Sequence, residues 1–186
     1  YLYRQIMNGR AQMGITLACH IEDYENDIIK KHEKTRKVKE DDRTRLTDVL
    51  SANTGPVFLT YKDVAAIDSF IESWITAHEP TDDFVDDVAV QHTVWRVTGT
   101  EAAPILSALG EVPFSYVADG HHRSASAARV GKERREANPT HDGTEDYNWF
   151  LAVMFPASQL NIMPYNRVVK DLNGLSADSF LQRLAE

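Results

Sequence analysis

The sequence predicts an α+β fold: a mixed, partly antiparallel sheet with helices packed against it. Three observations lead there. Strand-like and helix-like segments alternate through most of the 186 residues. Asn8-Gly9 sits between two apolar runs, which is a strong signal for a two-residue hairpin turn, because both turn residues need positive φ. The early strands cluster, so part of the sheet is antiparallel. At this length one core is the default, and we expect residues 1–186 to form a single domain.

Tyr1 to Ile6 reads as the first strand and Met13 to Ile21 as its return. Alternation along Ile15, Leu17 and Cys19 turns Cys19 to the core and His20 to the opposite face. A charged stretch follows from Glu22 to Arg45, basic at first and then acidic at Glu40-Asp41-Asp42. Asp41 or Asp42 is expected to cap a helix reaching Ala52, with Leu46, Val49 and Leu50 as its buried stripe. Val57 to Tyr61 is a short strand. Asp63 is expected to cap the next helix, whose Ile67, Phe70, Ile71, Trp74 and Ile75 fit the helical stripe. Val85 to Val97 reads as one or two strands, with Val88, Val90, His92 and Val94 on one face. Thr100 opens a short helix that Gly110 ends. Val112 to Ala118 is a strand leading through Asp119-Gly120-His121-His122-Arg123 into a small-residue helix from Ser124 to Ala137. Asn148 to Phe155 is a strongly apolar, central strand, and Leu160 to Met163 and Arg167 to Val169 are further short strands. Ser176 to Glu186 reads as a helix without a C-cap. A chain that opens in a strand and closes in a helix is expected to be part of a longer protein.

Composition narrows the function. No apolar run reaches the ~20 residues a membrane helix needs. One cysteine excludes an internal disulfide and fits a reducing, cytoplasmic setting. The net charge of −8 argues against nucleic acid as the main partner and leaves a small molecule.

The strand–Gly–helix turn at Asp119 to Arg123 carries the chemistry. A helix start offers unpaired N–H groups and partial positive charge, which favour an anion. Gly120 removes the side chain where a phosphate approaches, and Arg123 offers a planar fork for its oxygens. His121 or His122 can add a hydrogen bond or relay a proton. Asp119 can hold a metal-bound water, orient a histidine, accept a proton, or simply cap the helix. A metal centre is the poorer reading, because adjacent His121 and His122 point apart and no ligand motif supplies partners. A second group, His32-Glu33-Lys34-Thr35-Arg36, supplies Glu33 as a candidate general base and Arg36 as a phosphate clamp. Cys19 is expected to pack rather than react, and His141 to lie exposed in a polar loop.

Tyr3-Arg4-Gln5, Asp23-Tyr24, His32-Glu33-Lys34-Thr35-Arg36, Ala118-Asp119-Gly120-His121-His122-Arg123 and Met163-Pro164-Tyr165-Asn166-Arg167 together resemble the uncharacterised bacterial and archaeal family catalogued as domain of unknown function 1015. Its Asp-Gly-His-His-Arg turn is similar to the phosphate-binding turn of the ParB/sulfiredoxin superfamily, whose free serine kinases carry a closely similar Asp-Gly-x-His-Arg turn. The resemblance implies that Gly120, His122 and Arg123 hold the phosphates of a nucleoside tri- or diphosphate with Mg²⁺, that Asp119 sits at the reacting end, and that the substrate is a small hydroxyl compound. Glu33 is the expected counterpart of the kinase glutamate. His121 stands where sulfiredoxin has its cysteine, which argues against sulfinic-acid repair. The alternatives are a non-catalytic nucleotide sensor of ParB type and a metal-dependent hydrolase using His20, His32 and the paired histidines.

Overall fold

A computed structural model describes residues 1–185. β1 (Leu2–Met7) and β2 (Arg10–His20) pair antiparallel around Asn8-Gly9. Both turn residues have positive φ, 53° and 76°, as the hairpin requires. α1 (Ile21–Glu25) follows directly, and the His20 imidazole accepts the Glu22 N–H at its start. Then come β3 (Ile29–Lys30), α2 (Lys37–Leu50), β4 (Val57–Tyr61), α3 (Ala65–Ala77), β5 (Asp82–Val85) and β6 (Gln91–Trp95). The chain continues through α4 (Ala103–Gly110), β7 (Ser115–Asp119), α5 (His121–Ala137), β8 (Trp149–Pro156) and α6 (Ala177–Leu184).

The strands form one sheet in the order β3-β7-β4-β8-β2-β1-β6-β5. β3 pairs parallel with β7, and β4 parallel with β8; the other pairs are antiparallel. The fold is thus α+β with a mixed, partly antiparallel sheet. β8 lies inside the sheet, as its apolar sequence predicts. Leu59, Val117, Phe150 and Ala152 belong to one buried cluster, which Ile21, Ile67, Ile71, Ile105, Ala127 and Ala128 complete from α1, α3, α4 and α5. α5 comes close because it is slim. A Cβ at Gly131 would stand 2.5 Å from both Ile21 Cδ1 and the Tyr147 carbonyl oxygen.

Several expectations are corrected. α2 begins at Lys37, before the acidic pair, and its start carries no side-chain cap. Its expected stripe is not buried: Val49 and Leu50 are exposed, and Thr44 is the buried residue. α2 instead meets α5 through charge, with Arg129 on Asp41 at 2.6 Å and Arg134 on Asp48 at 2.9 Å. Asp63 does not cap α3; it accepts the Ser158 N–H at 3.1 Å and the Ser158 hydroxyl. Val88 sits exposed in the β5–β6 turn, away from the face of Val90. α5 begins at His121, three residues before the expected Ser124. Leu160 to Met163 and Arg167 to Val169 form no strands. The expected end of the last helix, Glu186, lies outside the described residues.

Candidate functional site

The site starts with a change of backbone hand. β7 ends at Asp119, and Gly120 takes φ +101° to turn the chain into α5. The Ser124 N–H closes the first helical bond onto the Gly120 carbonyl at 3.0 Å. The amides before it, from His121 to Arg123, have no place in the helical ladder, and no side chain caps them. The capping role open to Asp119 is therefore not taken. Its carboxylate instead accepts from Arg123 Nη2 at 2.9 Å. The guanidinium folds back over the turn, so a Cβ at Gly120 would meet Arg123 Nη2 at 2.9 Å. Only a bare Cα with access to positive φ suits this position.

β3 brings the second group to the first. It is two residues long, yet it pairs parallel with Ser115-Tyr116 of β7. Two parallel neighbours send their outgoing loops to the same end of the sheet. The His32–Arg36 loop therefore lies beside the Asp119–Arg123 turn. The Arg36 N–H donates to His122 Nε2 at 3.2 Å, which places the proton of a neutral His122 on Nδ1. The His32 and His121 rings meet at right angles with centroids 4.5 Å apart. His121 Nδ1 lies 3.6 Å from the Glu33 carboxylate.

Between these segments and α2 opens a cleft of about 460 Å³. Glu33, Asp119, Gly120, His121, His122 and Arg123 all line it. Arg36 does not; it precedes α2, and its backbone rather than its guanidinium holds His122. Lys39, Asp42, Arg43 and Thr54 complete the lining. Sequence reasoning did not assign these four. Lys39 and Arg43 are four apart on α2 and so share a helix face, a signal hidden by placing the helix start at Asp41 or Asp42. Thr54 carries no signal of its own.

His121 is 6% exposed. Burial, with the nearby charge of His32, lowers its pKa, against an opposing pull from Glu33. Its Nε2 is buried without a hydrogen-bond partner among the described residues, and so is Arg123 Nε. Unpaired buried polar atoms are costly, and here two of them lie on residues of one cleft.

The model of the family described as protein of unknown function (DUF1015) matches residues 1–186. The chain belongs to the DUF1015 family. Comparisons with curated proteins and with solved structures found no match.

Other residues of this DUF1015 chain lie away from the cleft. Cys19 is buried, and burial, with the Asp23 charge, pushes its thiol up to about 12. His20 is occupied at the start of α1 and stacks edge-on against Trp149, so it is not part of the histidine group. His92 packs between Tyr3 and Phe84. His141 is not a free loop residue: it pairs with Glu145 at 2.8 Å and with the Tyr147 hydroxyl at 2.9 Å. No helix among the described residues is long and apolar enough to cross a membrane.

Proposed function

We propose that the cleft binds nucleotide phosphates, and that this DUF1015 protein is a nucleotide-dependent phosphotransferase acting on a small hydroxyl compound. One observation carries the reading. The uncapped start of α5, a helix of 17 residues, opens on a cleft that also holds Lys39, Arg43 and Arg123. Backbone N–H groups and cations at one place favour a phosphate. The likeness of the Asp119–Arg123 turn to that of the free serine kinases supports the same assignment.

In this reading Gly120, His122 and Arg123 hold the phosphates. Arg123 offers its unused Nε–H, and turning toward phosphate would release Asp119 from their ion pair. Asp119 or Glu33, both on the cleft, would then orient or deprotonate the substrate hydroxyl. The carboxylate of Asp42, on the same cleft, is a hard oxygen donor of the kind Mg²⁺ takes, and Mg²⁺ would neutralise charge on the phosphates.

Calorimetry with ATP, ADP and CTP tests this. The wild type is expected to bind at least one of them in Mg²⁺. Arg123→Ala is expected to weaken that binding by about tenfold or more, the worth of a charge-assisted hydrogen bond. Absence of binding to all three nucleotides would remove the proposal.

A second reading is a nucleotide sensor without chemistry. The Arg36–His122 hydrogen bond favours it, because it links the cleft to the first turn of α2. Mass spectrometry of serine and related hydroxyl compounds incubated with nucleotide and Mg²⁺ separates the two. A phosphorylated product speaks for transfer, and binding without product for sensing.

A further inference from the structure

We propose that His32, Glu33 and His121 form a binding site for one divalent transition-metal ion of the zinc, cobalt and iron class. A ligand atom from each of the three lies within 4.8 Å of the others. The His121 Nδ1 to Glu33 Oε2 separation is 3.6 Å. Ligand atoms sharing an ion with bonds of about 2.0–2.2 Å stand about 3–3.6 Å apart. That separation is too long for a hydrogen bond and close to what a shared ion requires.

His121 supplies the independent observation. It is 94% buried, since 6% remains exposed; its Nδ1 approaches Glu33 only at 3.6 Å, beyond hydrogen-bond distance, and its Nε2 has no hydrogen-bond partner among the described residues. A metal bond at Nδ1, the nitrogen that faces Glu33, would place the ring proton on Nε2 and so fix the tautomer of this buried imidazole. The residue is fixed at the first position of α5, so it is a rigid anchor. His32 and Glu33 are exposed on the loop after β3, so a change of rotamer that closes the remaining distance would not uncover buried surface.

The donor set selects the ion. Two imidazoles and one carboxylate suit zinc, cobalt or ferrous iron, whereas Mg²⁺ and Ca²⁺ prefer oxygen alone. Three protein ligands leave an open position. Glu33 and His121 both line the cleft, so that position would be reached from it. The difficulty that adjacent His121 and His122 point apart does not arise. Only His121 joins this group, while His122 Nε2 is taken by the Arg36 N–H. This site does not depend on the phosphotransferase reading, in which Asp119 rather than the metal-bound Glu33 is then left to act on the hydroxyl; its ion is distinct from the Mg²⁺ that accompanies a nucleotide.

The test is a titration of chelator-stripped protein with Co²⁺ alone, followed by visible absorption, and with Zn²⁺ alone, followed by calorimetry. One ion per chain is expected. His32→Ala and Glu33→Gln should each weaken binding by about tenfold or more. Both residues are exposed, so the metal-free variants should unfold at the wild-type midpoint. His141→Ala, on the loop before β8 and away from the cleft, should bind the metal as the wild type does. Absence of stoichiometric binding by the wild type would overturn the site, and so would unchanged affinity in both His32→Ala and Glu33→Gln. Nucleotide titrations in Mg²⁺ on the same stripped protein report on the phosphate cleft separately.

Discussion

At the scale of single residues, Gly120 and Arg123 form one device. The φ of +101° excludes a comfortable alanine, and an added Cβ would press on the guanidinium at 2.9 Å. Gly120→Ala should therefore cost about 1–2 kcal/mol and weaken anion binding together, read by urea unfolding and calorimetry on the same sample. A variant that loses stability but keeps full affinity would separate the two roles. Cys19 offers a second check. With its thiol pushed up to about 12 by burial, it should not react with a thiol reagent at neutral pH in the native state, and should react promptly in denaturant. These properties were legible in sequence because they follow from residue type: glycine where φ turns positive, and a cysteine in apolar alternation. The unpartnered His121 was not legible. Its burial depends on the His32 loop, which is remote in sequence.

At the scale of elements, local pattern succeeded where one face is buried and failed where charge holds the contact. β4, α3, β8 and the Asn8-Gly9 turn follow the expected periodicities. α2 does not, because it is held to α5 by Arg129 and Arg134 rather than by Val49 and Leu50. Gly131 tests the packing of α5. Helix propensity alone predicts that Gly131→Ala gains about 1 kcal/mol. A Cβ 2.5 Å from a backbone oxygen predicts instead a loss of about 1–3 kcal/mol, so the sign of the change in urea midpoint decides. The β5–β6 hairpin gives a pH prediction. Asp86 accepts the N–H groups of Val90 and Val88 and contacts His92 Nε2 at 3.1 Å, and these bonds hold its carboxyl below the usual range. A depressed carboxylate stabilises the fold above its unfolded value of about 3.9. That contribution is lost as the pH falls through the lowered folded value. The protection of the Val88 and Val90 amides against hydrogen exchange, corrected for the intrinsic exchange rate at each pH, should fall over that range, and Asp86→Asn should remove that change in protection. Protection that stays constant with pH in the wild type would contradict this role for Asp86.

At the scale of the whole molecule, the shortest strand decides the site. β3 has two residues and no sequence signature, yet its parallel pairing with β7 sets the His32–Arg36 loop against the start of α5. The Asp119–Arg123 turn is readable directly from residue types. Its meeting with Glu33 is not, because a long-range strand pairing creates it, and the lining by Lys39, Asp42 and Arg43 depends on α2 starting at Lys37 rather than at the acidic pair. The central claim is that an anion binds where these segments converge. Amide chemical-shift mapping during titration of the isotopically labelled protein with ATP and Mg²⁺ tests it most directly. The largest shifts are expected on the amides of Gly120 to Arg123, with smaller ones at Glu33, Lys39 and Arg43. Shifts confined to another surface, such as the groove between Tyr3, Phe58 and Phe155, or no shifts at all, would contradict it.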